Sequence, residues 1–314
     1  MGKVAFVFPG QGSQYVGMGR ALYEKQPVCR AVFDEADAAL GEKLSRLVFE
    51  GPEDDLKLTR NTQPALLTVS AALHALLASR GVTADVMAGH SLGEYSALVA
   101  AGALGLSDAV RAVRARGSFM QEAVPAGVGA MAAVVRVDPA RVAELCVQAA
   151  QGEICVPANY NAPDQTVIAG HAAAVERARA LMSAAAPRAR ALPLPVSAPF
   201  HCPLMEPVRE RMREVLSRLP IGALAVPVVS NVEATANSDP ARVVELLVVQ
   251  VTSPVRWVES VRAMVALGAT RFLEVGPGKV LTGLVKQIDK SVEAVALDDA
   301  GELEKVLGGA GNRG

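Results

Sequence analysis

The chain has 314 residues, of which 51% are hydrophobic and only 4% aromatic, so Ala, Val and Leu must supply most of its core. Lysine and arginine number 31 against 32 aspartates and glutamates, which gives no electrostatic case for nucleic-acid or membrane binding. Since the four cysteines match no metal-binding spacing and no stretch approaches the ~18 apolar residues of a membrane helix, we expect a reduced, cytoplasmic α/β protein without a metal site.

The first predicted strand, Lys3–Phe8, ends in a glycine-rich turn over Pro9–Gln14. Proline and glycine end this apolar run too early for a secretory signal peptide. The turn completes neither the dinucleotide-binding pattern nor the P-loop, because Tyr15 and Met18 stand where glycine and lysine are required. We interpret it as a loop whose backbone N–H groups serve another anion. Helical periodicity follows over Cys29–Leu40 and Asn61–Ser79.

A G-x-S-x-G pattern occupies Gly89–Gly93 and predicts a sharp strand-to-helix turn centred on Ser91. Small residues on both sides permit a strained serine backbone and tight packing of the helix on the sheet. The flanks fit, since Val82–Ala88 predicts a short buried strand and Glu94–Ala101 an apolar helix. The serine hydroxyl would project into a cleft, where the helix N-terminus favours developing negative charge.

The order of predicted elements changes between Gly129 and Leu194. The pattern there predicts strands over 130–137, 155–161, 165–170 and 188–194, with helices over 139–150 and 172–186. This β-α-β-β-α-β order is the ferredoxin-like arrangement. We therefore expect residues 129–194 to form an inserted subdomain, with 1–128 and 195–314 forming the α/β core. The core resumes with elements predicted over 204–219, 226–230, 243–251, 271–275 and 279–288.

A serine hydroxyl is a poor nucleophile until a base removes its proton, and the chain has four histidines that could do so. His74 lies among alanines and leucines, which favours a packing role, and His171 opens a predicted helix. His90 adjoins the serine, but the turn would direct its side chain to the opposite side. His201 lies in a proline-bounded loop between a strand and a helix, where α/β folds gather functional groups, and is the favoured base.

Further short motifs extend the pattern around Ser91 along the chain. In order, they are Phe8–Gln14, Gly89–Tyr95, Arg116-Gly117 followed by Met120-Gln121, Gly129–Met131, Pro199–His201 and Glu274–Gly278. Together they resemble the malonyl-CoA:acyl carrier protein transacylases over nearly the whole chain. The resemblance implies an α/β-hydrolase-like core with a parallel sheet plus an inserted ferredoxin-like (βαββαβ) subdomain, in agreement with the predicted order of elements.

The resemblance also implies roles for individual residues. Ser91 would be the nucleophile and His201 its general base. Where hydrolases use an acid to orient the histidine, this family uses a backbone carbonyl, and the match places it at Gln250. The backbone N–H groups of Gln11 and Leu92 would form the oxyanion hole.

Arg116 and Phe200 bear on the substrate. The family's arginine binds the free carboxylate of the malonyl group, with a bidentate geometry that lysine cannot reproduce. We expect Ser107 or Asp108 to cap the helix that carries Arg116. Leu92 and Phe200 match the family members that prefer malonyl, and a bulky Phe200 would disfavour an α-methyl branch by ~1–3 kcal/mol.

These residues predict a transferase with a ping-pong mechanism. A malonyl-serine ester would form from malonyl-CoA, and its malonyl group would pass to the phosphopantetheine thiol of acyl carrier protein, with no cofactor and no need for more than a monomer. A serine thioesterase or esterase is an alternative. However, no acid lies shortly before His201 to complete a triad, and Arg116 would have no function in such an enzyme. A trans-acting acyltransferase of polyketide synthesis is another, since the sequence leaves open whether the carrier serves fatty-acid or polyketide synthesis. A catalytically silent interaction module conflicts with the intact serine and histidine.

Overall fold

The computed structural model describes residues 2–125, 127–185, 188–196, 198–298 and 300–310. The strands are β1 Lys3–Phe8, β2 Val86–Gly89, β3 Gly129–Val135, β4 Cys155–Ala162, β5 Gln165–His171, β6 Arg190–Pro193, β7 Val228–Val229, β8 Ala236–Asn237, β9 Ala269–Glu274 and β10 Glu293–Ala296. The α-helices are α1 Arg20–Lys25, α2 Pro27–Leu40, α3 Leu44–Glu50, α4 Glu53–Lys57, α5 Thr59–Ser79, α6 Gly93–Ala100, α7 Leu106–Glu122, α8 Pro139–Ala150, α9 Ala172–Ala185, α10 Glu206–Leu216, α11 Val243–Gln250, α12 Trp257–Ala266, α13 Val280–Ile288 and α14 Ala300–Ala310.

The larger sheet has the strand order β10-β9-β1-β2-β7-β8 and is parallel except for the edge pair β7–β8. Phe8 at the end of β1 lies opposite Gly89 at the end of β2. Because the two strands run in the same direction, the glycine-rich turn after β1 and the serine turn after β2 emerge at the same edge of the sheet. This edge is where the candidate site forms.

Helices cover both faces of this sheet, and the residues of β1 alternate between the two layers. Phe6 and Phe8 join the hydrophobic cluster that contains α2, α5, α6 and α7. Ala5 and Val7 join a second cluster with residues of α12 and α13, including Trp257. Since successive strand side chains point to opposite faces, a strand that is apolar at both sets of positions is buried on both sides. The predicted α/β core with a parallel sheet is confirmed.

The smaller sheet is antiparallel, with the strand order β4-β5-β3-β6. Helices α8 and α9 pack against it through a separate hydrophobic cluster that includes Ala132 and Val134 of β3. Met131 of the same strand instead joins the large cluster of the core. The element order confirms the predicted βαββαβ subdomain, whereas its boundaries at 129–194 stay a prediction.

Two local expectations are wrong. The strand before Ser91 begins at Val86 rather than Val82, because the side chain of Asp85 accepts the backbone N–H of Val4 and ends the ladder there. Neither Ser107 nor Asp108 caps α7, which follows Gly105 without a side-chain cap. The Ser107 hydroxyl instead donates to Glu35, and Asp108 accepts from Arg111.

In the part of the chain that the structure describes, no helix is both long and apolar enough to cross a bilayer.

Candidate active site

Ser91 lies on a strained turn between β2 and α6, with a φ of 52° that few residues other than glycine adopt. The turn is also tightly packed. A Cβ atom at Gly89 would lie 1.8 Å from the carbonyl carbon of Gly93, and one at Gly93 would lie 2.0 Å from the carbonyl oxygen of Phe8. Both positions therefore require glycine, which explains the small residues of the motif in physical terms.

The Ser91 hydroxyl and the imidazole of His201 are brought together across the turn. Oγ of Ser91 lies 2.7 Å from Nε2 of His201, and Nδ1 of His201 lies 3.0 Å from the backbone carbonyl of Gln250. Because a carbonyl only accepts, Nδ1 carries the proton, and Nε2 is left to accept from the serine. His201 also has a positive φ, of 57°. Burial and then the nearby charge of Arg116 lower the pKa of His201 to about 3, which keeps it neutral.

Gln11 and Leu92 place two backbone N–H groups near this pair. Gln11 lines the same cleft as Ser91 and His201, and Leu92 immediately precedes α6. Among the residues that the structure describes, neither backbone N–H has a hydrogen-bond acceptor. The loop of Gln11 packs closely on the serine turn, since a Cβ atom at Gly10 would lie 2.5 Å from the carbonyl oxygen of His90.

Arg116 lies on α7 with its side chain buried at 1% exposure. Its Nη1 donates to Oε1 of Gln63 at 3.0 Å, and its Nη2 donates to Oε1 of Gln250 at 2.9 Å and to Oγ of Ser91 at 3.3 Å. Gly117 permits this approach of α7 to α5, because a Cβ atom there would lie 2.6 Å from the carbonyl oxygen of Thr59. The guanidinium is thus held by neutral amides and keeps its positive charge beside the serine.

A cleft of about 100 Å³ opens onto the serine between the two sheets. It is lined by Gln11, His90, Ser91, Met131, Asn159, Leu194, Val196, Phe200 and His201. The side chain of Phe200 is buried, with the residue 8% exposed, and its backbone N–H donates to the sulfur of Met131 at 3.3 Å. Phe200 therefore forms part of the wall of the cleft beside His201.

His90 is occupied elsewhere. Its Nε2 lies 2.8 Å from Oδ1 of Asn161, and its ring packs against Trp257 with the ring centres 5.6 Å apart. The structure accordingly pairs His201, and not His90, with the serine.

Sequence reasoning did not identify Asn231, which holds the serine turn from both sides. Its Oδ1 accepts the backbone N–H of Ser91 at 2.7 Å, and its Nδ2 donates to the carbonyl of Gly89 at 2.6 Å. It comes just after β7, the strand beside β2. Its position just after a predicted strand was a signal for the edge where carboxyl ends of parallel strands meet, although it did not indicate Ser91 as the partner.

Sequence reasoning also did not identify Glu94, although it lies within the Gly89–Tyr95 motif. It is 2% exposed, and its Oε2 accepts from the backbone N–H of Asn231 at 3.1 Å and from Nε2 of Gln250 at 2.7 Å. Burial raises the pKa of Glu94 to about 7 against the opposing effects of these hydrogen bonds and of Arg116. Within the described residues, no group of three or more His, Cys, Asp or Glu side chains could hold a metal ion.

Comparison with known proteins places this site in a family. A model described as an acyl transferase domain matches residues 5–308. The malonyl CoA-acyl carrier protein transacylase of Bacillus subtilis is 49% identical over 308 residues, which cover 98% of this chain and 97% of that protein. The chain belongs to this transacylase family. The transacylase of the same name from Escherichia coli K12 is also 49% identical, with 98% of this chain and 99% of that protein covered.

Solved structures of transacylases share the fold. A crystal structure of an acyl carrier protein S-malonyltransferase from Vibrio cholerae has a TM-score of 0.94 at 48% identity, covering 97% of this chain and 99% of that one. A malonyl-transacylase solved in complex with its type II PKS acyl-carrier protein has a TM-score of 0.94 at 44% identity, covering 98% and 99%. The resemblance predicted from the short motifs is confirmed.

Proposed function

We propose that this protein transfers the malonyl group of malonyl-CoA to the phosphopantetheine thiol of acyl carrier protein through a malonyl ester of Ser91. One observation carries the substrate assignment: Nη2 of buried Arg116 lies 3.3 Å from Oγ of Ser91. In a malonyl group, a single methylene separates the reacting carbonyl carbon from the carboxylate. A guanidinium beside the nucleophile is therefore placed to bind a carboxylate at this short separation.

In the first half-reaction, Oγ of Ser91 attacks the thioester carbonyl while Nε2 of His201 takes its proton. The negative charge on the carbonyl oxygen is stabilised by the backbone N–H groups of Gln11 and Leu92. The C–S bond then breaks, His201 returns the proton to the departing sulfur, and free CoA leaves. The backbone carbonyl of Gln250 keeps the imidazole in the required tautomer throughout.

The second half-reaction runs the same chemistry with a different thiol. His201 takes the proton of the phosphopantetheine thiol, whose sulfur attacks the malonyl-serine ester. The C–O bond breaks, and the proton passes to Oγ of Ser91, which restores the free enzyme. Because Nδ1 of the neutral histidine donates to the Gln250 carbonyl, the lone pair of Nε2 faces Ser91 and is available to accept a proton at each of these steps.

The names of the relatives support an acyl carrier protein as the acceptor. The curated relatives are named malonyl CoA-acyl carrier protein transacylases, and one similar structure holds an acyl-carrier protein. We therefore propose an acyl carrier protein as the acceptor. We further propose that this carrier serves fatty acid biosynthesis, that the enzyme is monomeric and that it needs no cofactor. A cytoplasmic location is supported by four free, buried cysteines, as expected in a reducing compartment. Phe200 is proposed to favour malonyl over an α-branched acyl group.

Intact-mass measurement after incubation with malonyl-CoA tests the proposal. We expect a malonyl adduct on the wild-type protein, its loss on adding phosphopantetheinylated carrier protein, and no adduct on Ser91→Ala. Carriers from fatty-acid and polyketide synthesis are compared as acceptors. Release of free malonate without a carrier would instead indicate the thioesterase alternative, and an adduct on Ser91→Ala would contradict the nucleophile assignment.

A further inference from the structure

Gln250 connects the two functions of the site. Its backbone carbonyl accepts from His201, and its Oε1 accepts from Arg116 at 2.9 Å. Its Nε2 donates to the backbone carbonyl of Ser91 at 3.0 Å and to Oε2 of Glu94 at 2.7 Å. The side-chain amide is therefore fully used, with its oxygen toward the guanidinium and its two N–H groups toward acceptors.

We propose that Glu94 is a positioning residue for acyl-group selection, because it holds the Gln250 amide in the orientation that presents Oε1 to Arg116. This inference rests on the proposed function, in which Arg116 binds the malonyl carboxylate. Without an acceptor at position 94, one N–H of a buried amide loses its partner. The nearest other acceptor is Oδ1 of Asn231, at 3.5 Å, which already accepts the backbone N–H of Ser91.

The loss of Glu94 would therefore disturb two contacts that set the site. A turn of the Gln250 amide toward Asn231 withdraws Oε1 from Arg116 and competes with the hydrogen bond that holds the Ser91 backbone. The guanidinium would then lose one of the neutral acceptors that fix it beside the serine. Transfer of malonyl, whose carboxylate needs the guanidinium, should suffer more than transfer of acetyl, which has no charge to bind.

The inference concerns an acceptor atom rather than a charge. A glutamine at position 94 can still accept the hydrogen bond from Gln250. The backbone N–H of Asn231 can only donate, so it favours the amide orientation that places the oxygen of the glutamine at this point. Glu94 also lines a small cavity of about 10 Å³ together with Ser230 and Asn237, whose side chains each carry an oxygen acceptor. Methionine has a similar length but offers no comparable acceptor.

The experiment measures kcat/KM for malonyl-CoA and for acetyl-CoA on wild type, Glu94→Met and Glu94→Gln. We expect Glu94→Met to lower the malonyl-to-acetyl ratio about tenfold or more, the effect of losing one buried hydrogen bond. Glu94→Gln should keep the ratio within about threefold of wild type. An unchanged ratio in Glu94→Met, or an equal fall in Glu94→Gln, would overturn the inference.

Glu274 provides the matched control. It is also a fully buried carboxylate that accepts two backbone N–H groups, from Leu281 at 3.0 Å and Thr282 at 2.7 Å, but these belong to α13. Glu274→Met and Glu274→Gln should leave the ratio unchanged whatever they do to stability. If Glu94→Met shows no cooperative unfolding transition, and so is not properly folded, Glu94→Asp is tested in its place. The shorter side chain of aspartate withdraws the carboxylate from Gln250 and should also lower the malonyl-to-acetyl ratio. A wild-type protein that forms no malonyl ester would contradict the proposed function itself. This result is distinguishable from failure of the inference, which appears only in the variants.

Discussion

Replacement of Arg116 by alanine is the most direct test of the substrate assignment. The side chain is 1% exposed, so solvent screens its charge very little. A malonyl carboxylate that enters this site without its partner is a buried, unpaired charge, which typically costs about 3–5 kcal/mol. That range corresponds to a fall of about 10²–10⁴ in kcat/KM for malonyl-CoA. Acetyl-CoA has no carboxylate, so its transfer should be kept or increased.

The assay compares kcat/KM for the two thioesters on wild type, Arg116→Ala and Arg116→Lys. Lysine should rescue malonyl transfer only in part, because an ammonium group supplies charge without the planar fork that reaches both Gln63 and Gln250. Urea unfolding separates stability from activity, since each glutamine that loses its buried donor is expected to cost about 1–3 kcal/mol. An equal fall for malonyl and acetyl in Arg116→Ala would refute the reasoning and make the arginine structural.

Three further variants and one pH profile test the rest of the site. His201→Ala should slow single-turnover acylation by about 10²–10⁴, measured by rapid quench. Because the pKa of His201 is lowered to about 3, the histidine is neutral above that pH and should contribute no acid limb near 6.5 to kcat/KM. Since the pKa of Glu94 is raised to about 7, the profile is measured on Glu94→Gln as well, and a limb near 6.5 that persists there would show that the pKa of His201 is not lowered. Asn231→Ala, which removes both side-chain contacts to the serine turn, should lower the free energy of unfolding in urea by about 1–3 kcal/mol and reduce kcat. An unchanged kcat would show that the turn keeps its conformation without Asn231. Phe200→Ala should raise kcat/KM for methylmalonyl-CoA relative to malonyl-CoA by about tenfold or more, and no change would remove Phe200 from acyl selection.

Local patterns predicted those parts of the fold that depend on neighbouring residues. The strand and helix around Ser91 followed from the G-x-S-x-G spacing, because only glycine fits where α6 meets the strand. The βαββαβ order of the subdomain followed from apolar periodicity, which changes between strand and helix spacing within 129–194. In both cases the information lies within a few residues along the chain.

Contacts between distant segments could not be predicted in this way. Asn231 reaches Ser91 only because β7 lies beside β2 in the sheet, and no local pattern gives that strand order. Gln250 was placed by resemblance alone, and its side-chain contacts to Arg116 and Glu94 had no signal in the sequence. The expected cap of α7 failed for a similar reason, since Ser107 finds Glu35 on α2 as a partner.

The geometry of Gln250 gives a physical reason why this side chain ends in an amide rather than a carboxylate. Its backbone carbonyl contacts His201 and its side chain contacts Arg116, so a glutamate at this position would bring a carboxylate to the guanidinium. Such an acid would pair with the guanidinium and compete with the carboxylate of the substrate. A neutral partner fixes the tautomer of His201 and leaves the charge of Arg116 available. The buried carboxylate of Glu94 instead accepts from Nε2 of Gln250, so it can orient this amide without a hydrogen bond to the guanidinium of Arg116.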